Sequence, residues 1–402
     1  MKRKVHSILS LPLAALLLVT SGCGGGSGSS AVPSMPDKKA SSSQLVSSKA
    51  DASSGSAGTR HIKKQLDKNL TMDADVILPG KSAYSSYPLV YRTFTSEELT
   101  GLFFSGDTGK KASETNAHGL VSVKSSSGAW AVANNDSGIV SFQKSKRDSA
   151  IDSIFGEYIV QAKKTNRQVF QTVPTDLPFM THEEAAEKGS AILRSMKFFG
   201  EPILAPKMIA VTGKELDKFQ TDLLKDTNYK DFPKTVIIKG WSEKDNCYFI
   251  QYSLQKDGIP IYDGGNTEPD IQIHGDIDAT IPRGLTERML ITPQGLCYFK
   301  ASGVYLQKED PSGPKSILSV DKAVKCLKNK YADVILTNQH TVKKIWLEYI
   351  DISDMHNSSD KQEITLLPYW CFQIDSADSD GRVYSHAARF NAFTGKDLEY
   401  EE

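Results

Sequence analysis

The sequence predicts an α+β protein built of antiparallel sheets, each covered by one or two helices. Three observations predict it. Capping residues open helical stretches near Thr95, Thr181, Thr212 and Ser319, and apolar residues then fall at helical spacing. Runs of alternating apolar and polar residues lie between these stretches, cut by turns rich in Gly, Asn and Asp. The 402 residues are 39% hydrophobic and 24% charged, which suits a globular chain with a wet surface. We divide them into a leader (1–22), a tether (23–60), a β-rich region (61–165), an α+β module (166–314) and a compact α+β module (315–402).

The leader starts with Lys2, Arg3 and Lys4, continues through a short apolar run at 8–19, and ends Thr20-Ser21-Gly22-Cys23. That order is expected of a secretory signal. The last four residues resemble the lipobox of bacterial lipoproteins and depart from it at Thr20, where Leu is usual. The resemblance implies a diacylglyceryl thioether on Cys23 as the mature N-terminus. The expected location is therefore the extracytoplasmic face of a bacterial membrane, held by the lipid on Cys23. An ordinary secreted protein or an uncleaved anchor is the alternative. The tether is rich in Ser, Gly and Ala without periodic apolar residues, so it cannot bury enough surface to fold. As a flexible coil it spans roughly 30–35 Å.

In the β-rich region, Leu70, Met72, Ala74, Val76 and Leu78 alternate as in a strand. A second strand is expected at 90–94, then a short helix after the capping box Thr95-Ser96-Glu97-Glu98. Strands at 120–123, 129–133 and 139–142 read as a meander, and 151–160 reads as one more strand.

In the next module, Thr181-His182-Glu183-Glu184 caps a helix with Ala185, Gly189, Leu193 and Met196 on one face. Thr212-Gly213-Lys214-Glu215 opens another, with Leu216, Phe219 and Leu223 inward. Strands are expected at 235–239, 247–254, 259–262, 271–273, 287–291 and 297–301, with Asp257-Gly258 as a hairpin turn.

In the last module, Ser319 caps a helix carrying Val320, Ala323, Val324, Leu327 and Tyr331 inward. Strands follow at 345–352, 364–374 and 383–393, and Asn391-Ala392-Phe393-Thr394-Gly395-Lys396 turns into a last short strand, with Gly395 at positive φ. This helix, strands and Thr394-Gly395-Lys396 turn resemble the PepSY domain, although Asn391 stands where that domain has Asp. The helix from Glu183 with Tyr248-Phe249-Ile250-Gln251-Tyr252 and Gly258-Ile259-Pro260-Ile261-Tyr262 looks like a diverged copy. The same stretch is similar to membrane-anchored regulators of a Gram-positive cell-wall sensor kinase. With Leu367-Pro368-Tyr369-Trp370-Cys371-Phe372, the chain as a whole resembles uncharacterised clostridial lipoproteins. These resemblances imply no catalytic residues. They imply an inhibitory, chaperone-like or regulatory binding module.

Composition excludes some classes. The formal net charge is zero, and loss of the leader removes three basic side chains, so no basic footprint for nucleic acid exists. After Cys23 there is no run of 18 apolar residues to span a bilayer. Cys247, Cys297, Cys326 and Cys371 lie too far apart in sequence for a local metal knuckle. We read them as free, partly buried thiols, with a Cys247–Cys297 bridge as the alternative.

Motifs for catalysis are sparse. No Gly-x-Ser-x-Gly elbow, phosphate loop or dinucleotide fingerprint occurs. His182-Glu183 begins like a zinc-protease helix, but Ala186 stands where the second His belongs, so both read as helix-start residues. Asp375-Ser376-Ala377-Asp378-Ser379-Asp380-Gly381 fails the calcium-loop register and reads as a solvated turn. His274, Asp276 and Asp278 share one side of an extended chain and form the best candidate metal set, against the plainer reading of a polar loop. Tyr84, Tyr87 and Tyr91, or Tyr369 and Trp370, read as half-buried core aromatics, with a ligand groove as the alternative.

The expected function is non-catalytic binding or regulation at the outer membrane face, with no cofactor and with another envelope protein or a peptide as partner. One alternative is a metal-dependent envelope hydrolase using His274, Asp276 and Asp278. Another is a solute-binding lipoprotein of an importer.

Overall fold

The computed structural model describes residues 58–398 apart from 108, 110, 117–118, 165–173, 204–205, 226–236, 263–285, 333, 354–363 and 378–382. The first half of the chain forms β1 (Gly58–Asp67), β2 (Leu70–Leu78), β3 (Ala83–Tyr84), β4 (Tyr87–Tyr91), α1 (Ser96–Phe103), β5 (Lys111–Thr115), β6 (Leu120–Ser125), β7 (Trp130–Asn134), β8 (Ile139–Gln143), α2 (Lys146–Lys164) and α3 (His182–Ser195). Next come β9 (Glu201–Pro202), β10 (Lys207–Val211), α4 (Gly213–Lys225), β11 (Cys247–Tyr252), β12 (Leu254–Lys256), β13 (Ile259–Pro260), β14 (Thr286–Thr292), β15 (Gly295–Ser302), β16 (Tyr305–Gln307) and β17 (Lys315–Ser316). The chain ends with α5 (Val320–Lys330), β18 (His340–Ser353), β19 (Ile364–Ala377) and β20 (Val383–Asn391).

The α+β expectation is corrected here. The protein is mostly β, with 47% strand against 23% helix, and it is not a set of separate sheets with helical covers. Two large sheets dominate. One has seven strands in the order β1-β2-β18-β19-β4-β16, with β20 also on β19. The other has eight, β10-β11-β14-β15-β8-β7-β6-β5. The physical reason is strand pairing over long sequence distances. Leu70 lies beside His340 in the parallel β2–β18 pair, and Tyr298 lies opposite Gln143 in β15–β8. Neither sheet stops at residue 165 or 314, so the expected module boundaries do not separate the sheets.

A second correction concerns 151–160, expected as a strand. These residues lie in α2, and buried Ile151, Ile154 and Phe155 have the i, i+3, i+4 spacing of one helix face. The strand expected at 90–94 lies at β4 (Tyr87–Tyr91), and residues 237–239 are not strand. The short strand expected after Lys396 is reduced to a single bridge between Phe390 and Asp397. The strand expected at 271–273 and the start of that at 235–239 lie outside the described residues. The capping and turn signals are met. Thr95 and Thr181 make reciprocal capping boxes with Glu98 and Glu184. The Ser319 side chain accepts from the Lys322 N–H. Asp257 and Gly258 both sit at positive φ between β12 and β13. Gly395 has φ +77°, and its N–H donates to the Asn391 carbonyl at 2.8 Å.

The eight-stranded sheet is buried on both faces at β11, whereas β6, β7 and β8 bury alternate residues and β5 is exposed. Tyr248, Ile250 and Tyr252 of β11 join a core with Leu99 of α1 and Leu193 of α3. Cys247 and Phe249 point the other way, to Ile151 and Phe155 of α2 and Leu216 of α4. The seven-stranded sheet packs Leu327 of α5 against Ile345, Trp370 and Phe372. Its opposite face groups Tyr262, Trp346, Ile350, Tyr369 and Cys371. No helix among the described residues is long and apolar enough to cross a membrane.

Candidate functional cleft

One rim of the eight-stranded sheet carries two cavities that meet at Gly240 and Ser242. The larger, about 890 Å³, is walled by Pro178, Phe179, Trp241 and Pro293, with Thr212, Lys214, Asp217, Glu243 and Asn246 as polar lining. The smaller, about 460 Å³, includes Lys144, Arg147, Asp148, Lys244, Asp245 and Cys297. Volumes of this size fall in the range of small-ligand sites.

The shared wall is the turn at 240–246, held by Arg147 from the first turn of α2. Arg147 makes a two-pronged pair with Asp245, with Nη2 to Oδ2 at 2.8 Å. Nη2 also donates to the Gly240 carbonyl at 2.7 Å. Its guanidinium lies 4.7 Å from the centre of the Trp241 ring. Asp245 Oδ2 further accepts from Ser242 N at 2.8 Å and Ser242 Oγ at 3.0 Å. Burial opposes ionisation of Asp245, but the bonds from Arg147 and Ser242 outweigh it and hold its carboxyl below the usual range. The turn therefore has its geometry fixed by one charged pair.

Its other side leans on α4. Asn246 Oδ1 accepts from Gly213 N at 2.9 Å. A Cβ on Gly213 would collide with the Ser242 backbone, so only glycine permits this approach. The far wall is set by Tyr248, whose hydroxyl accepts from Leu177 N at 2.7 Å and donates to the Met180 carbonyl at 2.8 Å. Phe179 lies between those two residues, its ring 5.8 Å from that of Tyr248.

The smaller cavity has groups that resemble a catalytic set but are otherwise engaged. Burial pushes the Cys297 thiol up to about 11, so it is not a thiolate nucleophile at neutral pH. Its Sγ lies 2.7 Å from Thr292 Oγ1. Burial also raises the Asp148 carboxyl, while Ser145 Oγ donates to it at 2.7 Å. Among the described residues, no histidine lines either cavity.

The residues singled out from sequence fall elsewhere. Cys23, His274, Asp276 and Asp278 lie outside the described residues, as do residues 378–381 of the acidic turn at 375–381. Asp176, His182 and Glu183 bring ligand atoms within 4.8 Å of one another. There the carboxylate of Asp176 accepts from His182 N at 2.9 Å and contacts Nδ1 at 2.7 Å, which fastens the start of α3. Tyr84, Tyr87, Tyr369 and Trp370 are buried, as core aromatics should be. The four cysteines at 247, 297, 326 and 371 are free thiols, three of them buried. Sequence reading missed Arg147, Phe179, Trp241 and Asp245. The one local signal was an aromatic inside a polar turn, Gly240-Trp241-Ser242.

No protein-family model matches the chain. No curated protein matches it either. Among solved structures, the chain is similar to an uncharacterised protein from Eubacterium rectale ATCC 33656, with TM-score 0.51 and 12% identity over 84% of this chain and 92% of that one. At that identity the likeness concerns the fold.

Proposed function

We propose that the protein is a membrane-anchored extracytoplasmic binding or regulatory module, held by lipid on Cys23, that engages an envelope protein or peptide without catalysing a reaction. The observation that carries the reading is the cleft at Trp241. Its walls are set by Arg147 and Tyr248 before any ligand arrives, and its titratable groups lack a nucleophile paired with a base. Preset walls lower the ordering cost of binding. The leader and tether sequence support the location. Two large, almost wholly antiparallel sheets favour this reading over an importer's solute-binding protein, which favours α/β lobes.

The test is photo-cross-linking in intact cells. A benzophenone amino acid replaces exposed Glu243 at the cleft, and a control replaces exposed Lys64 on β1. We expect a covalent partner from position 243 and not from 64, in the membrane fraction. Cys23→Ala should release the protein from that fraction. No adduct at 243, or equal adducts at both positions, overturns the binding reading.

A further inference from the structure

We infer that the cleft takes an extended, proline-containing peptide that also bears a carboxylate, with proline against Phe179 and Trp241 and the carboxylate at Lys144 and Lys244. The inference rests on the binding reading above and narrows its ligand. Pro178, Phe179, Trp241 and Pro293 come from three separate segments to wall the larger cavity. Such walls suit polyproline II, whose rings are rigid and whose carbonyls have no internal donors. The Trp241 indole N–H has no hydrogen-bond partner. That N–H is shielded from solvent, so a ligand in the cavity meets the Trp241 ring rather than its N–H. Arg147 already stacks on that indole, so ligand binding does not have to order it.

Charge complementarity supplies the carboxylate. The exposed Lys144 and Lys244 both line the smaller cavity. Lys144 acts on Asp148. Asp217 and Glu243 line the adjoining larger cavity, so the smaller cavity, with three basic side chains against two acidic ones, is the one that suits a carboxylate. Asp245 is engaged by Arg147, and Asp148 is nearly buried with its carboxyl bonded to Ser145. Lys144 Nζ donates to the Gln294 carbonyl at 3.2 Å. The two cavities meet at Gly240 and Ser242, so one ligand can occupy both. The carboxylate has two sources, an acidic side chain or a peptide C-terminus.

Fluorescence anisotropy with the full chain tests this, using four labelled peptides: an amidated Pro-Pro-Glu repeat, all-proline with a free C-terminus, amidated all-proline, and an amidated Gly-Ser-Glu repeat. A proline peptide with a carboxylate should bind at least about tenfold tighter than both amidated all-proline and the Gly-Ser-Glu repeat. Whichever of the first two wins identifies the source. Trp241→Leu and Phe179→Ala should each weaken it about tenfold, with circular dichroism confirming the fold. Lys244→Glu should weaken carboxylate peptides and spare amidated all-proline. Equal binding of the Gly-Ser-Glu repeat, indifference to both aromatic substitutions, or no binding of any peptide overturns the ligand class. If a partner still cross-links at position 243, the binding reading stands without it; if that adduct is also absent, both fall.

Discussion

Two arginine–carboxylate pairs distinguish the rim that carries the cleft from the rest of the scaffold. On the seven-stranded sheet, Arg389 and Glu348 are 7% and 2% exposed, with Nε and Oε2 3.8 Å apart. The Arg389 guanidinium sits 4.6 Å from the Tyr262 ring centre, and Cys371 Sγ donates to Glu348 Oε2 at 3.3 Å. At the cleft, the Arg147 side chain is 33% exposed while Asp245 is 8%. One pair is wholly removed from water and closed by an aromatic and a thiol. The other is half wet, two-pronged, and fixes a turn that faces solvent. A buried pair is weak evidence for stability, because desolvation offsets its attraction, yet removing one partner strands a charge. A two-pronged rim pair fixes a shape at lower desolvation cost.

The sharpest way to break the comparison is Arg389→Met. It leaves Glu348 buried without its counter-charge, and we expect a loss of about 3–5 kcal/mol, read as a lower urea midpoint. The double variant Arg389→Met, Glu348→Leu should recover most of it, because an apolar pair has no charge to desolvate. A double variant as unstable as the single one would show that the pair supplies more than mutual neutralisation.

Arg147→Met probes the rim. It removes bonds to Asp245 and the Gly240 carbonyl, and about 1.5–3 kcal/mol should be lost. Its signature is local: amide exchange should speed up across 240–246 and stay unchanged in β18 and β19. Uniformly faster exchange in both sheets would erase the distinction between the two pairs.

A third test sits at the end of β20. Gly395 has φ +77°, and a Cβ there would lie 2.8 Å from Cys326 Sγ of α5. Gly395→Val should cost about 1–3 kcal/mol through backbone strain, lowering the thermal midpoint without changing the cleft. Unchanged thermal stability would mean that the turn relaxes freely and is no part of the scaffold.

What could be read from sequence follows the range of the interaction. Thr95 with Glu98, and Thr181 with Glu184, act within one turn, so their helices were legible. Gly395 was legible for the same reason. At 151–160, Ile151, Phe155, Tyr158, Ile159 and Val160 suggested a strand by residue type, while burial of Ile151, Ile154 and Phe155 follows helical spacing. The pairing of β2 with β18 joins residues 270 apart, such as Thr71 and Thr341, and no local pattern announces it. The mostly β architecture was missed for that reason. The cleft is harder still, since Arg147, Phe179, Gly213, Trp241 and Pro293 meet only after both the sheet and its helices have formed.

The smallest expected effect comes from two carboxyls in one cavity that burial treats differently. Burial raises Asp148, with the Ser145 bonds opposing it only in part. Asp245 is lowered, because Arg147 and Ser242 outweigh its desolvation. A raised carboxyl means that the folded state holds its proton more tightly than the unfolded chain. Its contribution is full below the unfolded value and is lost as pH rises through the folded value. A lowered carboxyl contributes fully above the unfolded value and loses that contribution as pH falls through the folded one. Asp245→Asn should therefore cost stability at neutral pH and much less near about pH 2. Asp148→Asn removes a group whose ionisation the fold resists, so at neutral pH it should change stability by only about 0.5 kcal/mol, in the stabilising direction. Urea midpoints of both variants from about pH 2 to about pH 7 provide the check. Parallel curves for the two variants would mean that Asp148 and Asp245 share one environment, and the smaller cavity would then lack the net positive charge on which its fit to a carboxylate was argued.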